Sequence, residues 1–217
     1  MQLFIDSADV DAVAALAETG LVDGVTTNPT SMASTGRPMR QVIADLCELV
    51  PGSVSAEVAA ADAAGMIAEG EALAAIAPNV AVKLPLTWAG LAAVQELAAR
   101  GVMTNVTLCF SVAQALLAAR AGATFVSAFV GRLDDHGGDG AALVQEIRAV
   151  YDQYEFDTDV LAASIRSPAH VRAVALAGAD CATLPPHVFR ALVKHPLTAA
   201  GLERFAADWA AGGQAIR

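Results

Sequence analysis

Eight short runs of β-branched and small apolar residues alternate with longer Ala/Leu-rich stretches, and this alternation limits what the chain can fold into. The runs are Gln2–Ile5, Gly24–Thr27, Ser53–Val58, Val80–Leu84, Met103–Leu108, Thr124–Phe129, Val160–Ser164 and Cys181–Leu184. Between them, apolar residues recur at three- and four-residue spacing. This predicts helices over Asp9–Glu18, Arg40–Val50, Asp62–Ile76, Trp88–Arg100, Val112–Arg120, Gly140–Tyr151, Ala169–Leu176 and Pro186–Lys194. Asp9, Asp62, Thr87 and Ser111 stand where N-caps are wanted. Gly20, Gly101, Gly122 and Gly178 stand where a left-handed C-cap is wanted. Strand–helix alternation implies a parallel sheet, and eight units suggest closure into a (β/α)8 TIM barrel. At 217 residues the expectation is one α/β barrel domain over residues 1–217 with little room for insertions. The stretch Thr198–Ala211 predicts an extra C-terminal helix, with Leu202, Phe205 and Trp209 on one side. It is either a lid on its own barrel or an arm that docks on a neighbouring subunit.

Composition excludes several classes. Apolar residues make up 55% of the chain and charged ones 17%, which rules out a disordered polymer. The mean hydropathy of +0.50 reflects 50 alanines rather than a membrane span, because no apolar run approaches the roughly 18 residues a spanning helix needs. The N-terminal Met1-Gln2-Leu3-Phe4-Ile5-Asp6 lacks the basic start of a signal peptide, so a cytoplasmic protein is expected. A net charge of −10 argues against nucleic acid or an anionic membrane as a partner. Cys47, Cys109 and Cys181 have no metal or disulfide spacing. Of 13 basic residues, 11 are Arg and only Lys83 and Lys194 are Lys. A lysine inside an apolar strand, in a chain that otherwise prefers arginine, therefore asks for a reason.

In such barrels, chemistry sits at the C-terminal ends of the strands. The polar residues there are Asp6, Thr26, Thr27 and Asn28, then Glu57, Lys83, Asn105, Thr107, Ser127, Arg132, Ser164 and Arg166. Alternation puts Ala81 and Lys83 opposite Val80 and Val82, and Ser55 and Glu57 opposite Val54, Ala56 and Val58. Asn105 and Thr107 share one parity, opposite to Val106 and Leu108. Most strands thus offer one polar and one apolar side, as a shared cavity inside a helical jacket requires. Each residue also has a duller reading. Lys83 and Glu57 could be a structural ion pair, Asp6 a helix cap, Thr26 and Thr27 β-formers, Asn28-Pro29 a turn, and the arginines surface cations.

The set permits a specific chemistry. Burial disfavours the charged form of an amine, and a neutral amine can attack a carbonyl to form a Schiff base. The protonated imine is an electron sink for breaking the adjacent carbon–carbon bond. Carboxylates must move protons while the imine forms and where the leaving aldehyde is made, and Glu57 and Asp6 are candidates. The route needs no metal, and the four histidines form no ligand motif. Arginines flanked by serines suit a phosphate.

These residues stand in blocks that resemble the transaldolase family, specifically its short branch that includes fructose-6-phosphate aldolase. The blocks are Phe4-Ile5-Asp6, Gly24-Val25-Thr26-Thr27-Asn28-Pro29, Val82-Lys83-Leu84-Pro85, Thr104-Asn105-Val106-Thr107 and Phe129-Val130-Gly131-Arg132-Leu133-Asp134-Asp135. Leu161-Ala162-Ala163-Ser164-Ile165-Arg166 and His195-Pro196-Leu197-Thr198 complete them, so the likeness runs the length of the chain. The resemblance implies a Schiff-base lysine at Lys83. It implies that Asp6 handles the proton on the C4 hydroxyl, and that Glu57 works through a water positioned with Thr107. Asn28 and Asn105 would hold the hydroxyls of a dihydroxyacetone unit, with Thr26 and Phe129 also at the substrate. Ser127, Arg132, Ser164 and Arg166 would line the phosphate end. The implied substrates are sugar phosphates and the implied cofactor is none. The implied assembly is a homo-oligomer, a ring of five or a stacked ten, which favours the arm reading of Thr198–Ala211.

Two positions discriminate within the family. Aldolase members carry Gln where this chain has Glu57 and Tyr where it has Phe129. A tyrosine hydroxyl would help water reach the imine, whereas phenylalanine protects the intermediate until an acceptor arrives. Transfer of a three-carbon unit is therefore expected, with a fructose-6-phosphate aldolase as the alternative. A catalytically silent barrel that binds sugar phosphates, with Lys83 as a structural ion pair, is a third reading. One departure from the family pattern is Ser127-Ala128-Phe129, where members usually have Ser-Pro-Phe.

Overall fold

The computed structural model describes residues 1–213. Eight parallel strands close into a barrel in sequence order: β1 (Gln2–Asp6), β2 (Gly24–Thr26), β3 (Val54–Glu57), β4 (Val80–Pro85), β5 (Thr104–Cys109), β6 (Phe125–Phe129), β7 (Asp159–Ala163) and β8 (Cys181–Leu184). The helices are α1 (Val10–Ala17), α2 (Pro29–Ala33), α3 (Met39–Leu49), α4 (Ala63–Ala74), α5 (Trp88–Ala99), α6 (Val112–Arg120), α7 (Val130–Asp134), α8 (Gly140–Gln153), α9 (Pro168–Leu176), α10 (Pro186–Ala191) and α11 (Pro196–Gly212). Each expected strand and helix is present, with ends shifted by a few residues. The four expected N-caps each accept a backbone N–H three residues on: Asp9 from Ala12, Asp62 from Gly65, Thr87 from Gly90 and Ser111 from Gln114. All four expected C-cap glycines have positive φ.

The alternation sorts side chains into two cores. Outward-facing Ile5, Val25, Val54, Ala56, Val80, Val82, Val106, Val126, Ala128, Val160 and Ala162 are buried against the helices. The inward parity of the lower barrel is filled by Phe4, Ala81, Phe125, Leu161 and Cys181. Phe4 and Phe125 meet edge to face with centroids 6.1 Å apart. Gly24 makes room for this contact, because a Cβ there would lie 2.9 Å from the Phe4 ring and 2.6 Å from the Ser53 carbonyl. This plug fills the lower barrel, and the inward polar residues one level higher form the floor of the cavity above it.

Three differences from expectation matter. Asn28-Pro29 does not end in a plain turn but starts α2. The Asn28 side chain accepts from Ser31 N–H while the Ser31 hydroxyl accepts from Asn28 N–H, and proline sits at the first helical position where it costs no hydrogen bond. A second short helix, α7, follows β6 directly and carries Arg132. Leu108 breaks its expected parity. The β5–β6 register shifts between Val106 and Cys109, Leu108 has φ +63°, and its side chain is 38% exposed rather than packed among the helices. A left-handed conformation in a non-glycine residue costs of order 1–3 kcal/mol and persists only where the surroundings enforce it.

Helix α11 buries none of its side chains: Leu202, Phe205 and Trp209 are 64%, 69% and 50% exposed. The lid reading, in which this stripe packs on its own barrel, is therefore not what the structure has. Among the described residues no helix is long and apolar enough to cross a membrane.

Phe4 is 1% exposed and shares the lower plug with Phe125. Phe4→Ala is expected to destabilise the fold by about 3–5 kcal/mol, read as a shifted denaturant midpoint.

Candidate active site

Register places the functional side chains at one height. Glu57, Lys83 and Asn105 are paired neighbours across β3, β4 and β5, and Asp6 pairs with Thr26 across β1 and β2. Lys83 is 6% exposed. Its Nζ lies 2.9 Å from Glu57 Oε2 and donates to the Thr27 carbonyl at 3.0 Å. An ammonium has three donors, so one remains for a group in the cavity. That cavity, of about 440 Å³, opens at the C-terminal end of the barrel. Asp6, Glu57, Lys83 and Thr107 line it, as do Thr26, Asn28, Ser127, Phe129, Arg132 and Ser164.

Asp6 sits in a mixed environment. Its Oδ1 accepts long hydrogen bonds from Thr26 Oγ1 (3.5 Å) and Asn28 Nδ2 (3.4 Å). Burial pushes its carboxyl above the ordinary aspartate value, and this outweighs the opposing pull of the Lys83 charge and of the two hydrogen bonds. The Asp6 proton is thus held more readily than in water.

Two expected residues do not line the cavity. Asn105 is wholly buried beneath it, donating from Nδ2 to Ser55 Oγ at 3.0 Å and accepting from Ser127 Oγ at 2.8 Å. It touches the cavity through Ser127. Arg166 is turned aside in a two-pronged ion pair with Asp135, which holds the Asp135 carboxyl below its usual range. Arg132 differs: none of the ion pairs among the described residues involves it, and its guanidinium lies 4.8 Å from the centroid of Phe129. Phe129 in turn packs on Phe110 with centroids 5.5 Å apart. The helix bearing Arg132 can approach β7 closely because of Gly131: a Cβ there would lie 2.3 Å from the Ser164 carbonyl. Ser164 itself is held at φ +60°. The Thr107 hydroxyl, buried at the cavity wall, has no hydrogen-bond partner among the described residues.

Sequence reasoning overlooked Thr183 and Leu108, which also line the cavity. Thr183 Oγ1 lies 2.7 Å from Thr26 Oγ1, behind Asp6. The signal was available, since Cys181 and Thr183 share the inward parity of β8. Leu108 had no such signal, because strict alternation sends it outward. Among the described residues no group of three His, Cys, Asp or Glu side chains is placed to hold a metal ion.

A closed (β/α)8 barrel brings a buried lysine, two carboxylates and an arginine to one cavity at its C-terminal mouth. Comparison with known proteins gives its family. Residues 3–216 match the family described as transaldolase/fructose-6-phosphate aldolase. A protein of Phenylobacterium zucineum named "probable transaldolase" is 63% identical over 216 residues, covering all of both chains. Another so named, from Caulobacter sp. strain K31, is 60% identical over the same span, again covering all of both. Among solved structures, a thiamine phosphate pyrophosphorylase from Pyrococcus furiosus superposes with a TM-score of 0.63 at 15% identity, over 85% of each chain, which is a likeness of fold alone. The chain belongs to the transaldolase/fructose-6-phosphate aldolase family.

The raised Asp6 value carries a stability sign. The protonated form is the one the fold favours, so its contribution is complete below the unfolded value near 3.8 and is lost as pH rises through the higher folded value. Asp6→Asn should therefore keep or raise the melting temperature at pH 7 while abolishing turnover. A lowered melting temperature at pH 7 would contradict this sign.

Proposed function

We propose that the chain is a transaldolase that works through a Schiff base on Lys83. The observation that carries this reading is the Lys83 amine, nearly buried between Glu57 Oε2 and the Thr27 carbonyl on the floor of the cavity that Asp6 also lines. Glu57 takes a proton from the Lys83 ammonium 2.9 Å away, and the freed amine adds to the C2 carbonyl of a ketose phosphate, whose oxygen becomes the carbinolamine hydroxyl. Glu57 moves the protons as the carbinolamine loses water to become an imine, through a water held by the unpartnered Thr107 hydroxyl. Asp6 then takes the C4 hydroxyl proton. The C3–C4 bond breaks, its electron pair is delocalised from C3 onto the imine nitrogen, and an aldose phosphate departs. An acceptor aldehyde reverses these steps. Asn28 and, through Ser127, Asn105 orient the dihydroxyacetone hydroxyls, while Thr26 steadies Asp6. Arg132, with Ser164 beside it, receives the phosphate, and Arg166 joins when it leaves Asp135. Phe129 keeps the mouth dry.

The donors in this reading are sedoheptulose 7-phosphate and fructose 6-phosphate, and the acceptors are glyceraldehyde 3-phosphate and erythrose 4-phosphate, as in the pentose phosphate pathway. The three free cysteines suit the cytoplasm, a reducing compartment. The exposed stripe of α11 is read as an arm that packs on a neighbouring copy in a ring.

Fructose 6-phosphate with and without erythrose 4-phosphate tests the activity. Glyceraldehyde 3-phosphate is expected only with the acceptor, without free dihydroxyacetone; equal release of both products without acceptor would mean an aldolase. Borohydride with fructose 6-phosphate should label Lys83. Since only two lysines exist, peptide mapping decides, and a label on Lys194 or nowhere ends the Schiff-base reading. For the assembly, Phe205→Asp with Trp209→Asp should yield a smaller species by light scattering, whereas an unchanged mass would place the interface elsewhere.

A further inference from the structure

We propose that Leu108 is the shield that keeps water from the imine carbon, and that its left-handed backbone exists to aim it there. The inference rests on the Schiff-base reading above. Ordinary alternation along β5 would let Thr107 face the cavity and send Leu108 into the helical layer. Instead, φ +63° at Leu108 and the register shift beside it bring two consecutive side chains to the same cavity. Glycine, which adopts this conformation freely, would satisfy the backbone. A bulky apolar side chain held there at a steric cost points to a use for the side chain itself. Its position supplies one. Thr107, the adjoining residue, offers the unpartnered buried hydroxyl assigned above to a water. Leu108 stands at the mouth with more than a third of its surface exposed, and Phe129 lines the same cavity. A buried hydroxyl without a partner among the described residues thus lies next to an apolar residue at the same cavity.

The chemistry makes that exclusion consequential. After the aldose phosphate departs, transfer needs an acceptor aldehyde at C3 and only then water at C2, which frees the new ketose from Lys83. Release of free dihydroxyacetone needs a proton added to C3 and then water added to C2. The C2–N bond breaks, the amine returns to Lys83, and the oxygen of that water becomes the ketone oxygen. Leu108 slows the protonation of C3, the one step transfer does not use, and holds back hydration of C2 until an acceptor has added.

The test is the lifetime of the Lys83 adduct without an acceptor. Enzyme is mixed with limiting fructose 6-phosphate while glyceraldehyde 3-phosphate is removed by its dehydrogenase. Samples are reduced with borohydride over time and the adduct is read by intact mass. Leu108→Ala and Leu108→Gly should each shorten the lifetime at least about fivefold, with matching release of dihydroxyacetone and a KM for fructose 6-phosphate within about twofold of the parent. Leu108→Met, which restores bulk, should bring the lifetime back. Melting temperatures should stay level, and that of Leu108→Gly should not fall. An unchanged lifetime in Leu108→Ala, or a change in KM alone, overturns the shield. A shortened lifetime in Leu108→Gly only would assign the effect to the backbone and overturns it too. No adduct in the parent protein would sink the Schiff-base reading and this inference with it, whereas an adduct whose lifetime ignores position 108 would sink the inference only.

Discussion

A single lysine amine, taken out of water and held between one carboxylate and one carbonyl, organises the upper half of this barrel. A charge at Lys83 with 6% exposure is tolerable only because Glu57 lies at 2.9 Å and the Thr27 carbonyl at 3.0 Å. Both partners come from neighbouring parts of the same sheet, so the geometry of the site is the geometry of strand pairing. The lower plug of Phe4, Ala81, Phe125, Leu161 and Cys181 sets the other boundary. It fills the lower barrel, so the cavity lies at the C-terminal mouth, lined by strand ends and by the loops and short helices beyond them.

Below that mouth lies a layer tied together by buried side-chain hydrogen bonds. Ser55, Asn105 and Ser127 form a buried chain of hydrogen bonds across β3, β5 and β6. Thr26 and Thr183 make a second one between β2 and β8. Fully satisfied buried networks of this kind rigidify and specify a unique arrangement. They leave Lys83 and Asp6 on a fixed floor, while Phe129, Arg132 and Leu108 above them stand on a strand end, a short helix and a bulge. The division matches the reaction proposed for the site. Bond breaking needs fixed distances, and the choice between transfer and release depends on what covers the intermediate.

The barrel was legible because its two periodicities are clean. Val80-Ala81-Val82-Lys83 alternates strictly, and Asp9, Asp62, Thr87 and Ser111 announce their helices by local hydrogen bonds that need no tertiary context. The floor was legible for the same reason, since inward parity singles out Glu57, Lys83 and Thr107. Features governed by backbone exceptions were not. Nothing in Thr107-Leu108-Cys109 reports a left-handed residue, because leucine is a poor occupant of that conformation. Helices α2 and α7 are too short to show a period. The turning aside of Arg166 depends on Asp135, thirty-one positions away in the chain, which no local pattern reveals. Helix α11 was visible as amphipathic, but its stripe finds no partner within the described residues of its own chain.

Asn28 links two things that are usually separable. Its side-chain oxygen caps α2 through the Ser31 N–H, and its side-chain nitrogen donates to Asp6. A planar amide cannot turn one end without turning the other. Any remodelling that tilts the entry helix, whether by natural drift or by design toward a bulkier substrate, therefore also alters how Asp6 is held. Helix α2 and the Asp6 carboxylate must change together or not at all, which narrows the routes by which the mouth of this barrel can be reshaped.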